Sequence, residues 1–104
     1  MKLLLLILLS VFQISSTKRV LDIYAKDKSD KSYKEQIKVL AADPKGRQER
    51  DLIIKEHFGS THFRITLTGK DGGEKYSSKS VMTLEKLYGL IDAMPMRKYE
   101  KSKR

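Results

Sequence analysis

A chain of 104 residues, with 22 Lys and Arg against 13 Asp and Glu and a formal net charge of +9, suffices for one small domain and not for two. It contains no cysteine, which excludes disulfides, thiol redox chemistry and thiolate metal sites. The positive surplus favours acidic partners, such as an acidic protein or an anionic polysaccharide.

Residues 1–16 read as a cleaved signal peptide. Lys2 supplies the charge before an apolar run, Leu3 to Phe12, broken only by Ser10, and Ser16 offers a small residue at the cut. The run is too short to span a bilayer, which takes about twenty apolar residues. The expectation is a secreted or periplasmic protein with no integral span after cleavage, a domain over 17–96 and a basic tail over 97–104.

Arg19 to Ala25 reads as the first strand, apolar on both faces except at Asp22, the pattern of a strand covered on two sides. An unpaired carboxylate there would be costly, so Asp22 should lie near the sheet end or pair with a neighbouring Lys or Arg. After a polar turn, Lys26 to Ser29, a helix is expected from Asp30 to Ala42. Its stripe is Tyr33, Ile37, Leu40 and Ala41, and Asp30 caps it. Pro44 and Gly46 close it. Arg50 to Phe58 is the second strand, and the short connections imply a parallel crossover. Phe63, Ile65 and Leu67 then alternate with polar residues, a half-covered strand. Asp71-Gly72 predicts a type I′ hairpin returning through Glu74-Lys75-Tyr76. Thr83 caps a last helix with the stripe Leu84, Leu87, Tyr88 and Ile91, stapled by Met82 and stopped at Met94-Pro95.

The order β-α-β-β-β-α predicts an α/β domain, thioredoxin-like, with a four-stranded mixed sheet and helices on both faces. The segment Val20 to Lys31 is similar to a thioredoxin active-site segment, a strand with a central Asp leading into Cys-x-x-Cys at a helix start. Aligned on Ala25, the cysteine positions fall on Lys28 and Lys31, and Asp22 matches that family's buried aspartate. Lysine forms no disulfide and opposes the helix dipole, so thiol redox activity is lost. The loop Gly59-Ser60-Thr61-His62 also lacks the cis-proline of that family.

A broader resemblance rests on Glu49 to Ile54, on Leu67-Thr68-Gly69-Lys70-Asp71-Gly72-Gly73-Glu74-Lys75, and on Leu84 to Arg97, with its ending Asp92-Ala93-Met94-Pro95-Met96-Arg97. These segments resemble the DUF4174 domain. That domain occurs as a stand-alone exported bacterial protein, and within animal sushi-repeat-containing proteins and coiled-coil domain-containing protein 80. The resemblance implies a matrix-associated binding role without established catalysis. Asp22 and Lys26 depart from the family pattern, which has an apolar residue and often a proline at these places.

The chemistry-bearing residues are sparse. His57 and His62 are the only histidines, too few for a metal site, and no strained Gly-x-Ser-x-Gly elbow anchors a catalytic serine. Gly69 to Gly73 fits a tight turn better than a phosphate loop, which needs Lys then Ser or Thr opening a helix. Asp92 and Arg97 flank the Met94-Pro95-Met96 bend, where Asp92 is expected to tie down the chain. The leading expectation is an exported, non-catalytic binding or scaffold domain, with no cofactor and no metal. Lys70, Arg97, Lys98, Lys101, Lys103 and Arg104 would engage an acidic partner. The alternative is an enzyme or chaperone-like derivative acting through Asp22, Lys28 and Lys31. A nucleic-acid partner is not expected, because no aromatic stacking platform is present.

Overall fold

Strand β1 (Arg19–Ala25) runs through the middle of a four-stranded sheet. The structure, a computed structural model, describes residues 17–103. The expected signal peptide, residues 1–16, and Arg104 lie outside them. Helix α1 (Lys31–Ala41), short helix α2 (Pro44–Glu49) and strand β2 (Leu52–Phe58) follow β1. Strands β3 (Arg64–Thr68) and β4 (Glu74–Ser78), then helices α3 (Leu84–Asp92) and α4 (Pro95–Ser102), complete the described chain. The strand order is β2-β1-β3-β4, with β1 and β2 parallel and the other pairs antiparallel. The expected mixed α/β sheet is present, and its strand order is compatible with a thioredoxin-like arrangement.

Local chemistry places the helices. The Asp30 carboxylate accepts from the Tyr33 backbone N–H at 2.9 Å, which fixes the start of α1. Thr83 Oγ1 accepts from the Lys86 N–H at 3.2 Å at the start of α3. Two Pro-initiated helices were not expected. At Asp43-Pro44, the carboxylate caps the Gly46 N–H at 3.0 Å while proline occupies the first turn, where its missing N–H costs nothing. Pro44 therefore ends one helix and begins the next. Met94-Pro95 does the same for α4, so the segment expected as a basic tail is helical to Ser102.

The hairpin lies where Asp71-Gly72 predicts it, with a different turn. Gly72 takes φ +82° and Asp71 does not adopt positive φ, whereas type I′ needs both. The Gly72 N–H donates to the Gly69 carbonyl and the Gly69 N–H to the Gly73 carbonyl, each at 3.0 Å. The loop is thus the three-residue form that ends on a left-handed glycine, and a bulge at Leu67/Thr68 absorbs the extra residue.

One core holds the layers together. Leu21, Ile23 and Ala25 of β1, Ile65 and Leu67 of β3 and Leu52 of β2 pack with Tyr33 and Leu40 of α1 and Leu87 and Ile91 of α3. Gln36 of α1 is buried and stitches the two helices' neighbourhoods. Its amide donates to the Met82 carbonyl at 3.0 Å and accepts from the Met82 N–H at 2.8 Å. The expectation of helices on both faces is corrected. Buried helix residues meet only the Leu21 face of the sheet, while Ile53, Lys55 and Arg64 on the opposite face are exposed. Residues 59–63, which join β2 to β3, are too few to lay a helix over that side. Consequently Val20, Asp22 and Tyr24 are half-buried instead of covered.

Candidate functional site

The sequence-derived binding residues divide into two groups. Arg97 is 1% exposed and Lys70 is half-buried, and both are engaged within the protein. Arg97 Nε donates to Asp92 Oδ1 at 3.2 Å, Nη1 to the Glu49 carbonyl at 3.1 Å and Nη2 to Glu49 Oε1 at 3.1 Å. Lys70 Nζ donates to Asp51 at 2.8 Å and to Glu100 at 2.6 Å. Lys98 and Lys101 on α4, and Lys103 at its C-terminal cap, are exposed beside exposed Met96 and Tyr99. Asp92 does tie down the Met94-Pro95 bend, through Arg97 and through Arg50, whose Nε and Nη2 reach it at 3.1 and 3.0 Å.

Arg19 completes this network from the far end of the sequence. Its side chain is 0% exposed, and it donates to the Arg50 carbonyl at 2.7 Å and to both Glu100 oxygens at 3.3 and 3.2 Å. Arg50 also lies 3.8 Å from the Tyr88 ring centroid. Asp51 sits at φ +51°, a left-handed turn that Asp tolerates better than most residues, and this aims its carboxylate at Lys70. Burial pushes the Asp92 and Glu100 carboxyls up. Hydrogen bonds outweigh it, from Arg50 and Arg97 for Asp92 and from Lys70 and Arg19 for Glu100, and hold both below the ordinary carboxylate range. The Lys70 hydrogen bond lowers Asp51 in the same way. Burial pushes Lys70 down, but Asp51 and Glu100 together hold it above the usual lysine value. Lys18 adds a fifth cation at 3.6 Å from Asp51, so five cations meet four carboxylates here and most of the charge is cancelled within the network.

The open sheet face carries a second arrangement. Register places His57, Tyr24 and Arg64 side by side on β2, β1 and β3. The β3–β4 pairing ends at Ile65 with Ser78, and Lys79 follows directly after β4. Asp22 hydrogen-bonds His57 Nε2 at 2.7 Å. The His57 and Tyr24 rings stack with centroids 4.6 Å apart and planes at 17°. The Arg64 guanidinium carbon lies 4.4 Å from the Tyr24 ring centroid. Beyond this row, at the carboxyl ends of β1 and β2, Tyr24, Ser60, Thr61, His62, Phe63, Arg64 and Lys79 line a cavity of about 300 Å3. The carboxyl end of parallel strands is where open α/β sheets bind ligands.

Asp22 therefore finds a partner, as burial demands, but the partner is a histidine 35 positions away and not a neighbouring lysine. The sheet separates Asp22 from Lys28 and Lys31, because α1 packs on the Leu21 side while Asp22 points to the open side. His57 and His62 do not converge on a metal site: among the described residues no group of three His, Asp or Glu could hold an ion. Sequence reasoning missed Arg19, Tyr24, Arg64 and Lys79. The signal for the last three was the period-two pattern itself, which assigns Tyr24 and Arg64 to one face once their strands are paired. Arg19 gave none, since its acid partner lies 81 residues on.

Among the described residues no helix is long and apolar enough to cross a membrane. No curated protein and no solved structure matches the chain. Residues 55–100 match the model of a family described as Domain of unknown function (DUF4174). That stretch runs from the middle of β2 to Glu100 of α4, and it contains the hairpin and the Asp92–Arg97 bend that carry the resemblance. Over these residues the chain is similar to the DUF4174 family.

Proposed function

We propose that the protein is an exported, non-catalytic binding or scaffold domain whose partner is acidic, built on a thioredoxin-like frame that has exchanged its cysteines for Lys28 and Lys31. One observation carries this reading. The ion network sets five cations, Lys18, Arg19, Arg50, Lys70 and Arg97, against the four carboxylates of Glu49, Asp51, Asp92 and Glu100, so most of the chain's positive surplus rests outside it. Lys98, Lys101 and Lys103, three of the cations the sequence nominates, lie exposed on and at the C-terminal cap of a helix that Arg97 and Glu100 pin to the domain. A surface of this kind selects partners by charge and steers their approach.

Retention on an immobilised sulfated polysaccharide is expected to be strong at low salt and to collapse by about 0.5 M, where screening shortens the reach of surface charge to a few ångströms. Triple charge reversal of Lys98, Lys101 and Lys103 to Glu should lower the elution salt. Retention that ignores salt would remove the reading. Export has its own check: the secreted or envelope fraction should yield a chain beginning at Thr17. An intact chain recovered in the cytosol with Met1 in place would contradict it.

A further inference from the structure

The cavity beside the open sheet face has features that general surface charge does not explain. Its lining offers Arg64, Lys79 and His62 as basic groups, with Ser60 and Thr61 hydroxyls between, and includes no carboxylate. Among the described residues none of Lys79, His62 and Arg64 has a carboxylate partner, and Arg64 lies over the Tyr24 ring. Arg64 and Lys79 each lie one residue beyond the last pair of β3 and β4, Ile65 with Ser78, and both line this space, where like charges repel. In the ion network around Asp92 and Glu100 the fold pairs its clustered cations with acids. Here it leaves them facing a space.

The Arg64 guanidinium is also held in place. Asp22 fixes the His57 ring, His57 stacks on Tyr24, and Tyr24 supports Arg64 from the other side. This chain takes rotamer freedom out of a long side chain before any ligand arrives. A guanidinium fixed by stacking presents its N–H fork ready for bidentate bonding to an oxyanion. Both faces of the Tyr24 ring are occupied, by His57 and Arg64, so the cavity has no free tyrosine face on which to stack a sugar or a base. Recognition there rests on charge and hydroxyl hydrogen bonds.

We propose that the cavity lined by Ser60, Thr61, His62, Arg64 and Lys79 is a binding site for a tetrahedral oxyanion, a phosphate or sulfate ester group, with Asp22, His57 and Tyr24 as positioning residues for Arg64. It rests on the reading of the protein as a binder of acidic partners and names where the partner's anionic group is seated.

The test is an NMR titration of the whole protein with inorganic phosphate, inorganic sulfate and acetate. Sugar phosphate and sulfated disaccharide arms then identify which ester the site prefers. The expected result is saturable shifts confined to Ser60, Thr61, His62, Arg64 and Lys79, weaker for acetate. Arg64→Gln should weaken phosphate binding about tenfold, the loss of a charge-assisted bond. Arg64 is exposed, so this variant should fold, and an unchanged amide spectrum elsewhere would verify that. Tyr24→Phe keeps the stack and should bind as the parent does, whereas Tyr24→Leu should bind more weakly. Shifts spread over Lys98, Lys101 and Lys103 without saturation, or Arg64→Gln binding unchanged, would overturn the site while leaving polyanion retention intact. Loss of salt-dependent retention would instead defeat the broader reading.

Discussion

Arg97→Ala is expected to destabilise the domain by about 3 kcal/mol, read as a lowered urea midpoint of unfolding. The side chain is all but excluded from water, and its removal strips partners from Asp92, from the Glu49 carboxylate and from the Glu49 carbonyl together. Removing the buried member leaves the Asp92 carboxylate partly desolvated, whereas Glu49, 49% exposed, is rehydrated and adds little. The loss falls at the low end of the range for such changes, since Asp92 keeps Arg50 and Glu100 keeps Arg19 and Lys70. Arg97→Lys should cost less, about 1–2 kcal/mol, because charge survives while the planar fork spanning two elements does not. A change below about 0.5 kcal/mol for the alanine variant would mean that α4 is not anchored by this residue.

The same substitution connects stability to binding. Helix α4 turns Met96 and Tyr99 outward, and its buried residue is Arg97. A helix without an apolar stripe is held by its charges, and this explains why residues 97–104 read as a tail. Local periodicity carries no trace of Glu100 meeting Arg19 or of Arg97 meeting Glu49. Where contacts are local, the sequence was legible. Asp30 and Thr83 mark their helix starts, the Tyr33 and Leu87 stripes face the core, and Gly72 turns the hairpin. Asp43-Pro44 carried a helix-start signature that the competing reading of proline as a terminator obscured. The apolar residues on both sides of β1 suggested two covering layers. Val20 and Tyr24 are shielded instead by their cross-strand neighbours, with Tyr24 lying between His57 and Arg64. The turn differed because one left-handed glycine and a bulge close the hairpin with less demand on Asp71 than two left-handed residues would make.

Stability is expected to hold level from about pH 5 to 9 and to fall on both sides, for reasons contained in one network. Asp51, Asp92 and Glu100 have folded values below their ordinary range. The stability they contribute is complete above the unfolded carboxylate values near pH 4, and disappears as pH drops through the depressed folded values. Asp27 and Asp71 are lowered as well, by Ser29 and Lys75 respectively, but they are exposed, and solvent screens their effect. Lys70 has the opposite sign: its folded value lies above the unfolded one near 10.4, so its share is complete below that pH and lost as pH climbs through the raised value. Tyr88, pushed up by burial and by its bond to Asp43, adds to the alkaline loss. Glu100→Gln separates the network from the rest of the molecule. It should lower the urea midpoint at pH 7, where the wild-type carboxylate binds Arg19 and Lys70, and flatten the acid limb, because a titrating group has been removed from the centre of the cluster. Acid limbs of equal steepness in the two proteins would show that Glu100 does not carry the linkage, and with it would go the claim that charge holds α4 against the sheet.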